Sequence, residues 1–184
     1  MRIIAGKHKS RKLLALEGMN TRPMMDKMKE TIFNIIGPYF ADELVLDLFG
    51  GSGALSLEAL SRGAKQAYIV EANREAMRVI KENIASLHEE ASTTLYQIDY
   101  QIALNILVKE NRTFDIIFLD PPYRMNVIKE IIDFIILNHM LADEGIIVCQ
   151  YVRNNYLPIE TDSLEIRKNF NYASSEVCIY QKKE

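Results

Sequence analysis

The 184-residue chain has little cysteine, little histidine and no long apolar run. Its two cysteines, Cys149 and Cys178, sit in apolar, strand-like segments, which argues against a disulfide framework. The three histidines, His8, His88 and His139, are scattered, so no zinc site is written here and no metal is expected. No uninterrupted apolar stretch exceeds four residues, too short for a membrane-spanning helix. The basic start MRIIAGKHKSRK has no apolar core behind it, as a secretory signal requires. A cytoplasmic protein without a membrane partner is the expectation.

What is present supports a packed core: 48% of residues are apolar and 26% charged, at a length suited to one domain. The net charge of −3 conceals an asymmetry. Residues 1–40 carry eight lysines and arginines against three acidic residues, a net +5, and the remaining 144 residues carry 14 against 22, a net −8. A basic arm on an acidic body suits a polyanion docked at one end; a solvated terminus with chance charge is the plainer alternative.

Beyond the arm, short β-rich runs alternate with helical ones. Strands are expected at Leu44–Leu48, Ala67–Val70, Thr94–Gln97, Phe114–Leu119 and Gly145–Tyr151, several apolar on both faces as in a buried parallel sheet. Asn73 is placed to cap a helix carrying Met77, Ile80, Ile84 and Leu87 at helical spacing, and Ile128, Ile131, Ile132, Ile135 and Ile136 repeat the pattern. Gly63 stands where a helix should end. The alternation predicts an α/β, doubly wound sheet. Residues 1–40 read as two short strands and a helix from about Met25 to Ile36, an extension of the domain formed by 41–184. Ser163–Phe170 and Ser175–Lys182 read as a closing hairpin.

In such a sheet, ligands bind beyond the carboxyl ends of the strands. Those ends carry Asp47-Leu48-Phe49-Gly50-Gly51-Ser52-Gly53, then Glu71, Asp99 and Asp120-Pro121-Pro122-Tyr123. The glycines let a ligand approach the backbone at a helix start. A dinucleotide fingerprint would need Gly or Ala where Ser56 stands. The loop instead has the D-x-F-x-G-x-G form of methyltransferases that bind S-adenosylmethionine. Glu71 suits a ribose diol. Asp99 suits either an adenine amine or the cap of the following helix. The two prolines of Asp-Pro-Pro-Tyr rigidify a chain of acceptors, which an exocyclic amine needs, and Tyr123 offers a stacking face.

The arm then narrows the choice. MRIIAGKHKSRKL, Thr21-Arg22-Pro23, Asp26-x-x-Lys29-Glu30-x-x-Phe33-Asn34 and DLFGGSGALSLEALSRGA, in this order with Asp-Pro-Pro-Tyr, closely resemble the RsmD family of bacterial 16S rRNA guanine-N2 methyltransferases. The resemblance implies a Rossmann-like seven-stranded methyltransferase sheet with an N-terminal β-hairpin and helix. It implies S-adenosylmethionine as cofactor and 16S rRNA of the small ribosomal subunit as partner; a monomer is expected. By position, Asp47, Phe49, Gly51, Gly53, Glu71 and Asp99 would hold the cofactor. Asp120, Pro121, Pro122 and Tyr123 would hold the target amine, and Arg2, Lys7, Lys9, Arg11, Lys12 and Arg22 would meet RNA. Met24-Met25, Gln150 and Ala173 depart from the family pattern. Competing readings are an amino-methyltransferase acting on another RNA, on DNA adenine or cytosine or on protein glutamine, and a non-catalytic RNA chaperone of the same fold.

Overall fold

The computed structural model describes residues 1–16, 26–172 and 174–183. Seven strands form one sheet in the order β3-β2-β1-β4-β5-β7-β6. They are β1 (Leu44–Asp47), β2 (Gln66–Val70), β3 (Thr93–Tyr96), β4 (Phe114–Leu119), β5 (Leu141–Val152), β6 (Leu164–Tyr172) and β7 (Ser175–Lys182). The pairings among β1 to β5 are parallel, and β7 runs antiparallel to both β5 and β6. The helices are α1 (Asp26–Ile36), α2 (Ala54–Ser61), α3 (Arg74–Leu87), α4 (Tyr100–Lys109) and α5 (Ile128–Leu137). None among the described residues is long and apolar enough to cross a membrane.

Strands that are apolar on both faces bury both. Val45, Ile69, Ile116 and Phe118 pack with α1, α2 and α3 on one side, while Leu46, Tyr68, Ile117 and Leu119 pack with α4 and α5 on the other. The Asn73 side chain accepts a hydrogen bond from the Ala76 amide and caps α3 as its sequence predicts. α2 stops just before Gly63, whose amide bonds the Leu60 carbonyl. Strand β5 begins at Leu141 rather than Gly145, because Leu141 pairs with Phe114 of β4 ahead of a register shift, while the pairing with β7 begins only at Ile146. Cys149 and Cys178 face each other across β5 and β7, both free and buried.

The arm differs from its sequence reading in one respect. Two strands are expected, but Arg2 and Lys12 form a single antiparallel bridge, and the remaining contacts are isolated hydrogen bonds such as Ile3 N to Arg11 O. The arm's polar groups bond to the body instead. The Ile4 and Ala5 amides donate to the Glu58 carboxylate, the Lys7 amide to the Ser61 carbonyl and the His8 amide to Ser61 Oγ. Ile3 and Leu13 join the same apolar cluster as α1, α2 and α3. Backbone amides satisfied by α2 side chains leave little reason for a regular ladder. The expected helix is present as Asp26–Ile36; Met24-Met25 and Ala173 lie outside the described residues.

Candidate functional site

The strand order reverses between β1 and β4, each leading into a different crossover, and this switch point opens a crevice at the carboxyl ends. A cleft of about 290 Å³ fills it. Asp47, Phe49, Gly51, Glu71, Asp99 and all of Asp120-Pro121-Pro122-Tyr123 line it, so four strand ends distant in sequence converge on one volume. Gly53 lies just beneath as the N-cap of α2 rather than in the wall. The arm cations Arg2, Lys7, Lys9, Arg11 and Lys12 are elsewhere, and Arg22 lies outside the described residues.

The glycine loop keeps its shape for two physical reasons. A Cβ on Gly50 would sit 2.5 Å from Ile69 Cγ2, so the loop packs against β2 only if that residue has no side chain. Gly53 has φ +79°, the left-handed conformation that starts α2 without strain in glycine alone. Glu71 then ties the loop to β2: Oε2 accepts from the Gly51 amide at 2.9 Å and Oε1 from the Asn73 amide at 2.7 Å. Each oxygen retains a lone pair for a ligand. Asp99 caps α4 by accepting from the Gln101 amide at 2.8 Å, the capping role its sequence position suggests, and it lines the cleft as well. Phe49 leans on Tyr100 with ring centroids 5.3 Å apart.

Asp47 is buried at the floor. Ser56 Oγ donates to its Oδ2 at 3.0 Å and the Phe49 amide to its Oδ1. Burial, with Glu71 nearby, pushes its carboxyl up to about 7 despite those bonds. Asp120 opens onto the cleft but is shielded from bulk water; burial first and the neighbouring Asp47 second push it up to about 8. Of the cleft's described lining residues four are carboxylic acids and none is lysine, arginine or histidine. Such a lining disfavours phosphates and favours a ligand that brings positive charge.

Several contributors escape sequence reasoning. Ser56 orients Asp47, Ala15 and Leu16 of the arm form part of the cleft wall, and Asn155 Nδ2 donates to the Tyr123 carbonyl at 2.8 Å. Ser56 was visible only as the residue that breaks a dinucleotide fingerprint. Gln150, which departs from the family pattern, is not in the cleft wall; it is buried in β5, and its Oε1 has no hydrogen-bond partner among the described residues.

Comparison with known proteins identifies the chain's relatives. The family model described as "Conserved hypothetical protein 95" matches residues 1–181. The chain is 39% identical over 183 residues to YlbH of Bacillus subtilis (strain 168), covering 100% of both. It is 35% identical over 158 residues to ribosomal RNA small subunit methyltransferase D of Escherichia coli (strain K12), covering 86% of this chain and 78% of that one. The solved structure of yhhF from Escherichia coli superposes with a TM-score of 0.85 at 32% identity, covering 100% of this chain and 98% of the other.

Proposed function

This chain belongs to the family described as conserved hypothetical protein 95, the RsmD family, and on that premise we propose that it methylates the exocyclic N2 amine of a guanine in 16S rRNA of the small ribosomal subunit, with S-adenosylmethionine as donor. The observation that carries the proposal is the cleft: four carboxylic acids and no basic residue among its described walls, with Asp-Pro-Pro-Tyr at its edge. A pyrophosphate would meet carboxyl groups and no basic side chain there, whereas a sulfonium would meet countercharge and favour ionisation of Asp47 and Asp120.

S-adenosylmethionine supplies an electrophilic methyl group when bound. In this proposal Glu71 takes the ribose hydroxyls on the lone pairs that Gly51 and Asn73 leave open, and Asp99 and Phe49 take the adenine. The Asp120 carboxylate and the Pro121 carbonyl accept hydrogen bonds from the two N–H groups of the guanine amine, which localises the nitrogen lone pair. Tyr123 stacks on the base, turned out of its helix or loop into the pocket. Positioning of this kind is worth about 7 to 11 kcal/mol at its upper limit and needs no strong base. Burial raises the Asp120 carboxyl to about 8, so its ionised form is a stronger base than an ordinary carboxylate and suits a group that takes the amine proton once the nitrogen has been alkylated.

The test is incubation with labelled S-adenosylmethionine and small subunits from cells lacking the enzyme, followed by digestion to nucleosides. Label in N2-methylguanosine is the expected result. Label in an adenine or cytosine product, in protein, or in nothing overturns it.

A further inference from the structure

Asn83 lies on α3, 1% exposed, outside the cleft wall. Its Oδ1 accepts from the Leu14 amide at 2.8 Å, and its Nδ2 donates to the Leu14 carbonyl at 3.0 Å and to the Ser52 carbonyl at 2.9 Å. Both amide hydrogens and the carbonyl oxygen are therefore used. Leu14 belongs to the basic arm and Ser52 to the glycine loop. The two residues after Leu14, Ala15 and Leu16, line the cleft together with Ser52. Arg11 reaches the same helix, donating to the Ser86 carbonyl at 2.6 Å.

We propose that Asn83 is a positioning residue that makes the arm part of the cofactor site. By clamping both backbone groups of Leu14 it sets Ala15 and Leu16 against the cleft, and by holding the Ser52 carbonyl it ties their position to that of the glycine loop. The arm that faces RNA and the loop that faces the cofactor then move as one unit. Filling the cleft steadies the arm, and RNA gripped by the arm steadies the cleft; thermodynamic linkage makes the two effects equal. Asparagine suits the position because it alone supplies one acceptor and two donors in this arrangement. Aspartate of the same shape loses both donors and points negative charge at two carbonyl oxygens. The inference rests on the reading that the cleft takes S-adenosylmethionine and the arm takes RNA.

The experiment uses the full chain, S-adenosylhomocysteine as probe, calorimetry with and without small subunits, and amide hydrogen exchange. In the wild-type protein the probe should slow exchange at Leu14 to Leu16 as well as at the glycine loop, and small subunits should tighten probe binding at least fivefold. Asn83→Asp should weaken the probe about tenfold, confine its protection to the glycine loop and abolish the tightening by small subunits. Turnover of the variant at saturating donor should change less than KM. If Asn83 variants do not fold, Leu16→Ala carries the test, with an unchanged melting temperature and a several-fold weaker probe. Unchanged probe affinity in folded Asn83→Asp, or wild-type exchange at Leu14 to Leu16 that ignores the probe, overturns the inference. A wild-type protein that does not bind the probe at all overturns the functional reading beneath it.

Discussion

Lys29 Nζ lies 3.1 Å from Glu58 Oε2, and both side chains are sealed from solvent. Lys29 also donates to the Arg2 carbonyl, while Glu58 holds Arg62 at 2.7 Å and the amides of Ile4 and Ala5. One carboxylate thus joins the arm, α1 and α2. Burial drives the Lys29 ammonium below its ordinary pKa even though Glu58 opposes the shift. Breaking a buried ion pair leaves an uncompensated charge and costs about 3 to 5 kcal/mol. Lys29→Met should fall at the low end, about 3 kcal/mol, because Arg62 and two amides still serve Glu58. Arg2→Ala removes an exposed pair with Asp26 and should cost less than about 1 kcal/mol. Urea unfolding of the two variants checks the contrast; equal losses would refute it.

Asp120→Ala should lower turnover about 10²- to 10³-fold, the size expected when one group that stabilises the reacting arrangement is removed. Cofactor affinity should stay within a few-fold, because Asp120 is assigned to the amine. Single-turnover methylation and calorimetry measure the two quantities separately. Undiminished methylation would remove Asp120 from the mechanism.

The raised carboxyls of Asp47 and Asp120 set a pH dependence with a definite sign. Between the unfolded value of 3.8 and the folded values of about 7 and 8, the native state binds more protons than the unfolded chain. Stability of the ligand-free protein therefore declines as pH rises through that window and levels off above about pH 8. A cationic ligand prefers the ionised carboxylates, so S-adenosylmethionine should bind more tightly as pH rises from 6 to about 8. Its neutral thioether product should respond less. Melting and binding titrations across this range test both trends, and Asp120→Asn should remove the upper step.

Several of the arm's cations are already engaged. Lys7 pairs with Glu89 at 2.6 Å, Arg2 with Asp26 at 3.2 Å, and Arg11 with the Ser86 carbonyl. Lys9 and Lys12 are exposed and make no ion pair among the described residues. With about 0.7 of salt slope per phosphate contact on single strands, Lys9→Ala/Lys12→Ala should flatten log K against log salt by about 1.4. Arg2→Ala and Lys7→Ala should each change it less. A double variant with the wild-type slope would place the RNA contacts elsewhere.

Gln150 carries a buried acceptor without a partner among the described residues, which costs about 1 to 3 kcal/mol. Gln150→Met keeps the shape and removes that acceptor, so it should raise stability by about 1 kcal/mol. Because Gln150 is outside the cleft wall, cofactor affinity should not change. Denaturant unfolding and calorimetry decide the point.

Most of the sheet and most of the cleft are legible in the chain itself. Runs such as Phe114–Leu119 are apolar on both faces and have one stable place, between two helical layers. The strand ends carry their chemistry next to the strands that aim it, so Asp47, Glu71, Asp99 and Asp120 are readable in order. The glycine loop and the two prolines constrain backbone shape locally and need no distant partner. The arm is different, because a charge count has no geometry. In the sequence Lys7, Arg11 and Lys29 count only as part of a net positive arm, and that they lie against Glu89, Ser86 and Glu58, far along the chain, is given by the fold alone. Asn83 reads as one polar residue on an amphipathic helix, and only its burial between Leu14 and Ser52 gives it a role. Local backbone constraints and hydrophobic periodicity determined the fold and the acidic cleft. Long-range desolvation and pairing, which act only once the chain is packed, decided which charges remain free and which residues join the arm to the site.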